Sequence, residues 1–258
     1  MDVPVLQTER LRAKLGDKLV HGIPASRSMT GPARLASPTQ NRLAGGMTAR
    51  QKPKRTRTND PASTRSRVLD AAVELFHRQG YADTSMQEIT QSAGVTSGAL
   101  HHHYPTKKDL GLAVIRERVA TMVADAWVTP VTDAKTADKG VVKAFKDIIG
   151  GLREGSIVGC PLNNLALELA YAEPDLRIEI QQIFDDWQAA LASSIRQSKL
   201  VGPGSGMTAD ELATFIIAAY SGAMTMAKTS QSAQPLNVTL KLLTRLWRKA
   251  PVQARASV

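Results

Sequence analysis

The chain has 258 residues, 43% of them hydrophobic, and carries a net charge of +10. That length allows one large domain or two modest ones, and that composition excludes wholesale disorder. No apolar run approaches the ~20 residues of a membrane helix, no signal-peptide core opens the chain, and the lone Cys160 excludes an internal disulfide, so a cytoplasmic protein without a membrane partner is expected.

The charge is unevenly placed. Residues 1–67 carry 14 Lys/Arg against 4 Asp/Glu, whereas residues 68–258 carry 19 of each. A basic N-terminal third points to an anionic partner, and nucleic acid fits through phosphate neutralisation and counterion release. On charge alone, a solvated basic tail fits equally well.

Residues 1–58 are rich in Arg, Pro, Gly, Ser and Thr without a sustained helical or strand period. They are expected to be a disordered basic tail. Met47 is an alternative start that leaves 212 residues, with Lys52, Lys54, Arg55 and Arg57 as a short basic arm before the first helix.

From Asp60 the pattern is helical. Asp60-Pro61 predicts a cap followed by Pro at the first helical position, with Val68, Ala72, Leu75 and Phe76 on one face and Gly80 at the end. Thr84-Ser85-Met86-Gln87 reads as a capping box with Thr84 as cap, opening a short helix that turns Met86, Ile89 and Ala93 inward. After a turn at Gly94, Thr96 caps a third helix that ends near His103, and Pro105 stops it. Thr106-Lys107-Lys108-Asp109 caps a fourth helix, long and amphipathic on Leu112, Ile115, Val119, Met122 and Ala126. Further helices are expected near 136–153, 161–172, 174–199, 208–229 and 236–249, the fourth of these opened by the capping box Thr208-Ala209-Asp210-Glu211. Neither strand-like alternation nor a repeat is visible, so the fold class is all-α.

Helices two and three, separated by Ala93-Gly94-Val95, form a helix-turn-helix pattern around Ile89, Ala93, Val95 and Leu100. The third helix exposes Thr96, Ser97, Ala99, His101 and His102. Small residues at its start let the backbone approach a groove floor, and the hydroxyls can bond phosphates or base edges. The positive end of the second helix, at Thr84 and Ser85, suits a phosphate. Three consecutive histidines, His101-His102-His103, point in different directions on a helix, so no metal site is expected there.

The run 64–110 resembles the DNA-binding domain of TetR-family regulators along its whole length. The resemblance is carried by Arg67-Val68-Leu69-Asp70-Ala71-Ala72, Leu75-Phe76, Gly80-Tyr81, Thr84-Ser85-Met86, Ile89, the run from Ala93 to Leu100, and the run from His103 to Leu110. It implies an all-α protein with an N-terminal three-helix DNA-binding domain at 59–108, a ligand-binding and dimerisation domain at 109–250, and a short tail at 251–258. It further implies phosphate contacts from Thr84, Ser85 and Lys107, and a major-groove surface of Thr96, Ser97, Gly98 and Ala99; the exposed His102, from the helical pattern, is expected beside that surface. His101 stands where the family usually has Tyr, a ring that touches the DNA backbone; an imidazole can still donate a hydrogen bond there.

A homodimer on a palindromic double-stranded operator is expected, since one helix-turn-helix reads few base pairs. The resemblance implies the last two long helices as its interface; Leu240, Leu243, Leu246 and Trp247 form an apolar stripe on the final one, which an ordinary core face explains as well. A small-molecule inducer is expected among the helices from 110 to 199, against Trp127, Phe145, Cys160, Tyr171, Phe184 and Trp187; aromatic residues at helical spacing also serve as plain core. The stretch Gly159-Cys160-Pro161-Leu162-Asn163-Asn164-Leu165-Ala166-Leu167-Glu168 resembles a segment in one subgroup of TetR-family ligand domains. Cys160 precedes a helix but has no Lys, Arg or His within five residues, which favours a structural thiol over a sensor. No catalytic elbow, phosphate loop, dinucleotide fingerprint or zinc-protease motif occurs, so neither catalysis nor a cofactor is expected. The functional expectation is a ligand-released repressor; a TetR-like activator and an architectural DNA-binding protein without a ligand are the alternatives.

Overall fold

Asp60 caps the first helix through its carboxylate, which accepts from the Ala62 N–H at 3.1 Å, and Pro61 occupies the first helical position. The computed structural model describes residues 60–201 and 206–249. The expected tail at 1–58, its basic arm, Met47 and the tail at 251–258 lie outside the described residues. Among the described residues there are nine helices and no strand.

Helix α1 (Pro61–Gln79) buries Val68, Leu69, Ala72 and Phe76 against α2 (Met86–Ala93) and α3 (Ser97–His103). Ile89, Ala93 and Leu100 complete that small core. Arg67 of α1 clamps the intervening turn, donating to the carbonyls of Ala93 at 3.3 Å and Gly94 at 3.4 Å. Thr96 caps α3 by accepting from the Ala99 N–H at 3.2 Å.

One cap differs from its prediction. The cap of α2 is Ser85, whose hydroxyl accepts from Glu88 N–H at 3.1 Å while the Glu88 carboxylate accepts from Ser85 N–H at 2.7 Å. Thr84 is 1% exposed, and its hydroxyl donates to the Gly80 carbonyl at 2.6 Å. A carboxylate at the third helical position makes a stronger reciprocal bond than the Gln87 amide, so the box closes one residue later.

Helix α4 (107–132) begins in the helix-turn-helix unit, under the Thr106–Asp109 capping box, and runs on into the helices beyond it. It contains two widened turns, in which the Ala120 N–H reaches the Ile115 carbonyl and the Thr129 N–H reaches the Ala124 carbonyl. Their effect shows in the buried stripe, which falls at Ile115, Val119, Val123, Trp127 and Val131, every fourth residue. In a regular helix such a stripe would wind by about 40° per step, because 3.6 residues complete a turn. The wide turns cancel that drift and keep the stripe on one side. Met122, predicted inward on a regular period, is 41% exposed, and Ala126 is half-buried.

Ion pairs fix α4 on both sides. Arg65 and Arg118 link it to α1 through Arg65–Glu117 and Arg118–Asp70, and Arg116 links it to a later helix through Glu179 at 2.6 Å. The remaining helices are α5 (Ala137–Gly151), α6 (Pro161–Leu169), α7 (Pro174–Gln197), α8 (Ala209–Ser230) and α9 (Gln234–Lys249). They enclose a core of four rings, in which Trp127 lies 4.7 Å from Tyr220, 5.0 Å from Trp187 and 5.3 Å from Phe145, centroid to centroid. Edge-to-face and tilted packing of this kind adds to the burial energy of each ring. No helix among the described residues is long and apolar enough to cross a membrane.

Candidate nucleic-acid interface

The α3 helix is amphipathic in a way its length makes stark. Leu100 is fully buried, while Thr96, Ser97, Gly98, His101 and His102 are exposed and Ala99 is half-buried. A Cβ built on Gly98 meets no atom within 4 Å, so the start of α3 is open to an approaching surface. Its N–H groups and the hydroxyls of Thr96 and Ser97 share that opening, which is the chemistry that hydrogen-bonds base edges and phosphates. The His101 ring packs back on its own turn, with Nδ1 3.3 Å from the Pro105 carbonyl. His103 is half-buried.

Ser85 is exposed at the positive end of α2, but its N–H and its hydroxyl both donate to the Glu88 carboxylate at 2.7 Å, so a phosphate there has to displace Glu88. Thr84 is a correction: both its hydroxyl and its N–H are used within the α1–α2 turn, and its side chain is buried, so it has no group for a phosphate. Lys107 stands half-buried at the start of α4. Its ammonium donates to the Ala82 carbonyl at 3.0 Å and lies 4.5 Å over the Tyr81 ring. An ammonium has three N–H donors, so the Ala82 carbonyl and the Tyr81 ring do not exhaust its capacity for an anion. Burial pushes its pKa down, opposed by the carboxylates of Glu168, Asp83, Glu88 and Glu173.

The predicted ligand residues divide. Trp127, Phe145 and Cys160 sit in the packed interior. Trp187 borders a cleft of about 380 Å³ beside Val123, Ala124 and Ile183, and Phe184 borders another of about 240 Å³ between α7 and α8. Tyr171 is a correction: it is fully exposed in the turn between α6 and α7, away from these groups, because Leu169 and Leu176 fill the buried positions on either side of it. Tyr220 joins the ring cluster from α8 and was not singled out in the sequence, although its placement between Ile216, Ile217 and Met224 follows an apolar helical face. Cys160 is 8% exposed, and burial pushes its thiol pKa up; the N–H groups of Asn163 and Leu162 act in the other direction and lose. Among the described residues, no three His, Cys, Asp or Glu side chains are grouped to hold a metal ion.

Two family profiles match this chain. That of bacterial regulatory proteins of the tetR family matches residues 68–114, and that described as "Transcriptional regulator LmrA/YxaF-like, C-terminal domain" matches residues 139–241. The chain belongs to the TetR family of bacterial transcriptional regulators. It is therefore a DNA-binding regulator of transcription and not an enzyme. Among its relatives, the HTH-type transcriptional repressor DhaR of Mycobacterium sp. (strain GP1) is 24% identical over 69% of this chain and 89% of its own length. The HTH-type transcriptional regulator LmrA of Bacillus subtilis (strain 168) is 25% identical over 67% of this chain and 90% of its own length. A TetR transcriptional regulator from Chloroflexus aurantiacus, solved as a crystal structure, superposes with a TM-score of 0.65 at 25% identity, over 73% of this chain and 96% of its own. The TetR-family resemblance of the second segment, 159–168, falls inside the LmrA/YxaF-like match.

Proposed function

We propose that this TetR-family chain is a ligand-responsive repressor that binds a palindromic operator as a homodimer and is released by a small-molecule inducer. The observation that carries the reading is the open start of α3, where Ser97 and Gly98 stand exposed on a helix whose opposite face is anchored by a fully buried Leu100. Thr96, Ser97, Gly98 and Ala99 then read the major groove, with His101 and His102 at its edge; Lys107 holds a phosphate, and Ser85 holds another by exchanging the Glu88 carboxylate for it. In this reading residues 59–108 form the DNA-binding domain and 109–250 the ligand-binding and dimerisation domain. Repression is favoured by the relative named a repressor.

The dimer reading rests on exposed apolar side chains at matching helical spacing. Phe215 and Met226 on α8, and Val238, Leu242 and Leu246 on α9, are each 43–63% exposed. An apolar stripe across two adjacent helices is what a two-fold helical interface buries. The inducer is a mostly apolar small molecule seated beside the Trp187 and Phe184 clefts.

The test is binding of a labelled duplex from the promoter region of the protein's own gene, with a scrambled duplex as competitor. Preference for the promoter duplex, and loss of a salt slope of about one unit in Lys107→Ala, are expected. Equal binding of both duplexes would refute operator recognition. Leu242→Glu should sediment as a monomer; a dimer in that variant would refute the interface.

A further inference from the structure

The segment Gly159–Glu168 is not used by the reading above, yet several of its polar groups reach α1, the turn after it, or α8. The Gly159 carbonyl accepts from His77 Nε2 at 2.8 Å. Asn164 donates to the Val158 carbonyl at 3.0 Å and accepts from Lys228 at 3.1 Å. Asn163 accepts from the Ser221 hydroxyl at 3.2 Å. These contacts seat α6 against the C-terminal end of α1 and against α8.

At the far end of α6, Glu168 reaches the turn between α1 and α2. One carboxylate oxygen accepts from the Tyr81 N–H at 2.9 Å and the other from the Ala82 N–H at 2.5 Å. Gly80, at φ +94, makes room for it, since a Cβ there would lie 3.1 Å from the carboxylate. Ala82 is thus held from both sides, its N–H by Glu168 and its carbonyl by Lys107, whose ammonium also rests on the Tyr81 ring. Charge-assisted bonds to a carboxylate and an ammonium are short and directional, and here they grip the N–H and the carbonyl of one residue, in the two successive peptide units that flank its Cα.

We infer that Glu168 is a positioning residue for DNA binding: from the C-terminal part of the chain it fixes the Tyr81–Ala82 turn that presents the Lys107 ammonium to a phosphate. The inference rests on the assignment of Lys107 as a phosphate contact. A carboxylate with no positioning role would have the opposite effect on DNA, because it adds repulsion near a polyanion.

That opposition makes the experiment decisive. Affinity for the promoter duplex is measured by anisotropy across a salt series for the full chain and for Glu168→Gln, Glu168→Ala, Lys107→Ala and the Glu168→Gln/Lys107→Ala pair. Thermal melting identifies any variant that fails to fold. Both Glu168 variants should bind DNA more weakly, with a salt slope lower by about one unit, as in Lys107→Ala. The double variant should be no weaker than Lys107→Ala alone, since the two residues act through one contact. Tighter or unchanged binding in the Glu168 variants, with Lys107→Ala weakened, overturns the inference and leaves the DNA surface standing. Unchanged binding in Lys107→Ala overturns both. Additive losses in the double variant also overturn the inference. A Glu168→Ala chain that does not fold leaves Glu168→Gln, which keeps the shape but loses the charge and replaces one acceptor oxygen by an NH2 donor, to decide.

Discussion

The Arg65 guanidinium of α1 meets both oxygens of the Glu117 carboxylate of α4, one of them at 2.7 Å. This fork joins the helix that supports recognition to the helix that leaves the DNA-binding unit, and it sits within the first widened turn of α4.

The hydrogen bond from Arg65 holds the Glu117 carboxyl below its usual range. A carboxylate depressed in the folded state contributes stability above its unfolded pKa of about 4.3, and that contribution is lost as pH falls through the folded value. Both side chains are more than a third exposed or at that limit, so solvent screening leaves the pair about 0.2–1 kcal/mol at neutral pH. Glu117→Gln should destabilise the chain by that small amount at pH 7 and by less at pH 3, as the carboxyl approaches its folded pKa. An equal loss at both values would show that the charge is not the cause.

Gly98→Ala separates folding from binding. The new methyl meets nothing in the protein, and replacing a helical Gly by Ala stabilises by roughly 0.5–1 kcal/mol. The same methyl stands where a groove floor would come closest. The variant should melt higher and bind the operator several-fold more weakly. Unchanged binding by a stabilised variant would move the base-reading surface away from the start of α3.

His77 gives a pH signature. A carbonyl can only accept, so the neutral ring donates its Nε2 proton to Gly159. Burial pushes the pKa of the ring down, and the Gly159 carbonyl and Glu74 oppose this only in part, with Lys228 and Arg78 adding repulsion. For a depressed histidine the unfolded chain takes up the proton first. Stability is therefore full above about pH 6.5 and falls as pH drops below it toward the folded value. The melting difference between the parent and His77→Gln should shrink from pH 7.5 to pH 5.5. A difference that stays constant would mean that the ring does not titrate in that window.

Cys160 should be slow to react. Its thiol is buried and its pKa is raised, so little thiolate is present at neutral pH. Iodoacetamide should label the native chain on the order of a hundredfold more slowly than the urea-unfolded chain. Comparable rates would revive Cys160 as a reactive sensor.

The helix boundaries were legible because caps are local chemistry. Asp60, Thr96, Thr106 and Thr208 each cap the helix their position predicts. Thr84 and Ser85 are adjacent hydroxyl residues with Gln87 and Glu88 as rival partners; the Glu88 carboxylate makes the stronger bond and selects Ser85, and Thr84 turns to the Gly80 carbonyl four residues back. The exposed start of α3 followed from spacing, whereas the Glu168 contact joins residues 86 and 87 positions apart and leaves no periodic trace. Tyr171 was misjudged because residue type alone does not tell an inward from an outward position at a helix end.

The two widened turns of α4 also bear on how this helix can vary in length. Each holds one residue more than a regular turn needs. Deleting a single residue within 115–119 or 124–128 would let that stretch close into ordinary α-helix, with the segments before and after it keeping their faces. A deletion within Lys107–Val114 has no such slack and would rotate everything that follows by about 100°. Relatives with a shorter α4 should therefore carry their gaps at the wide turns, which would let the same two ends of the molecule be joined by connectors of different lengths.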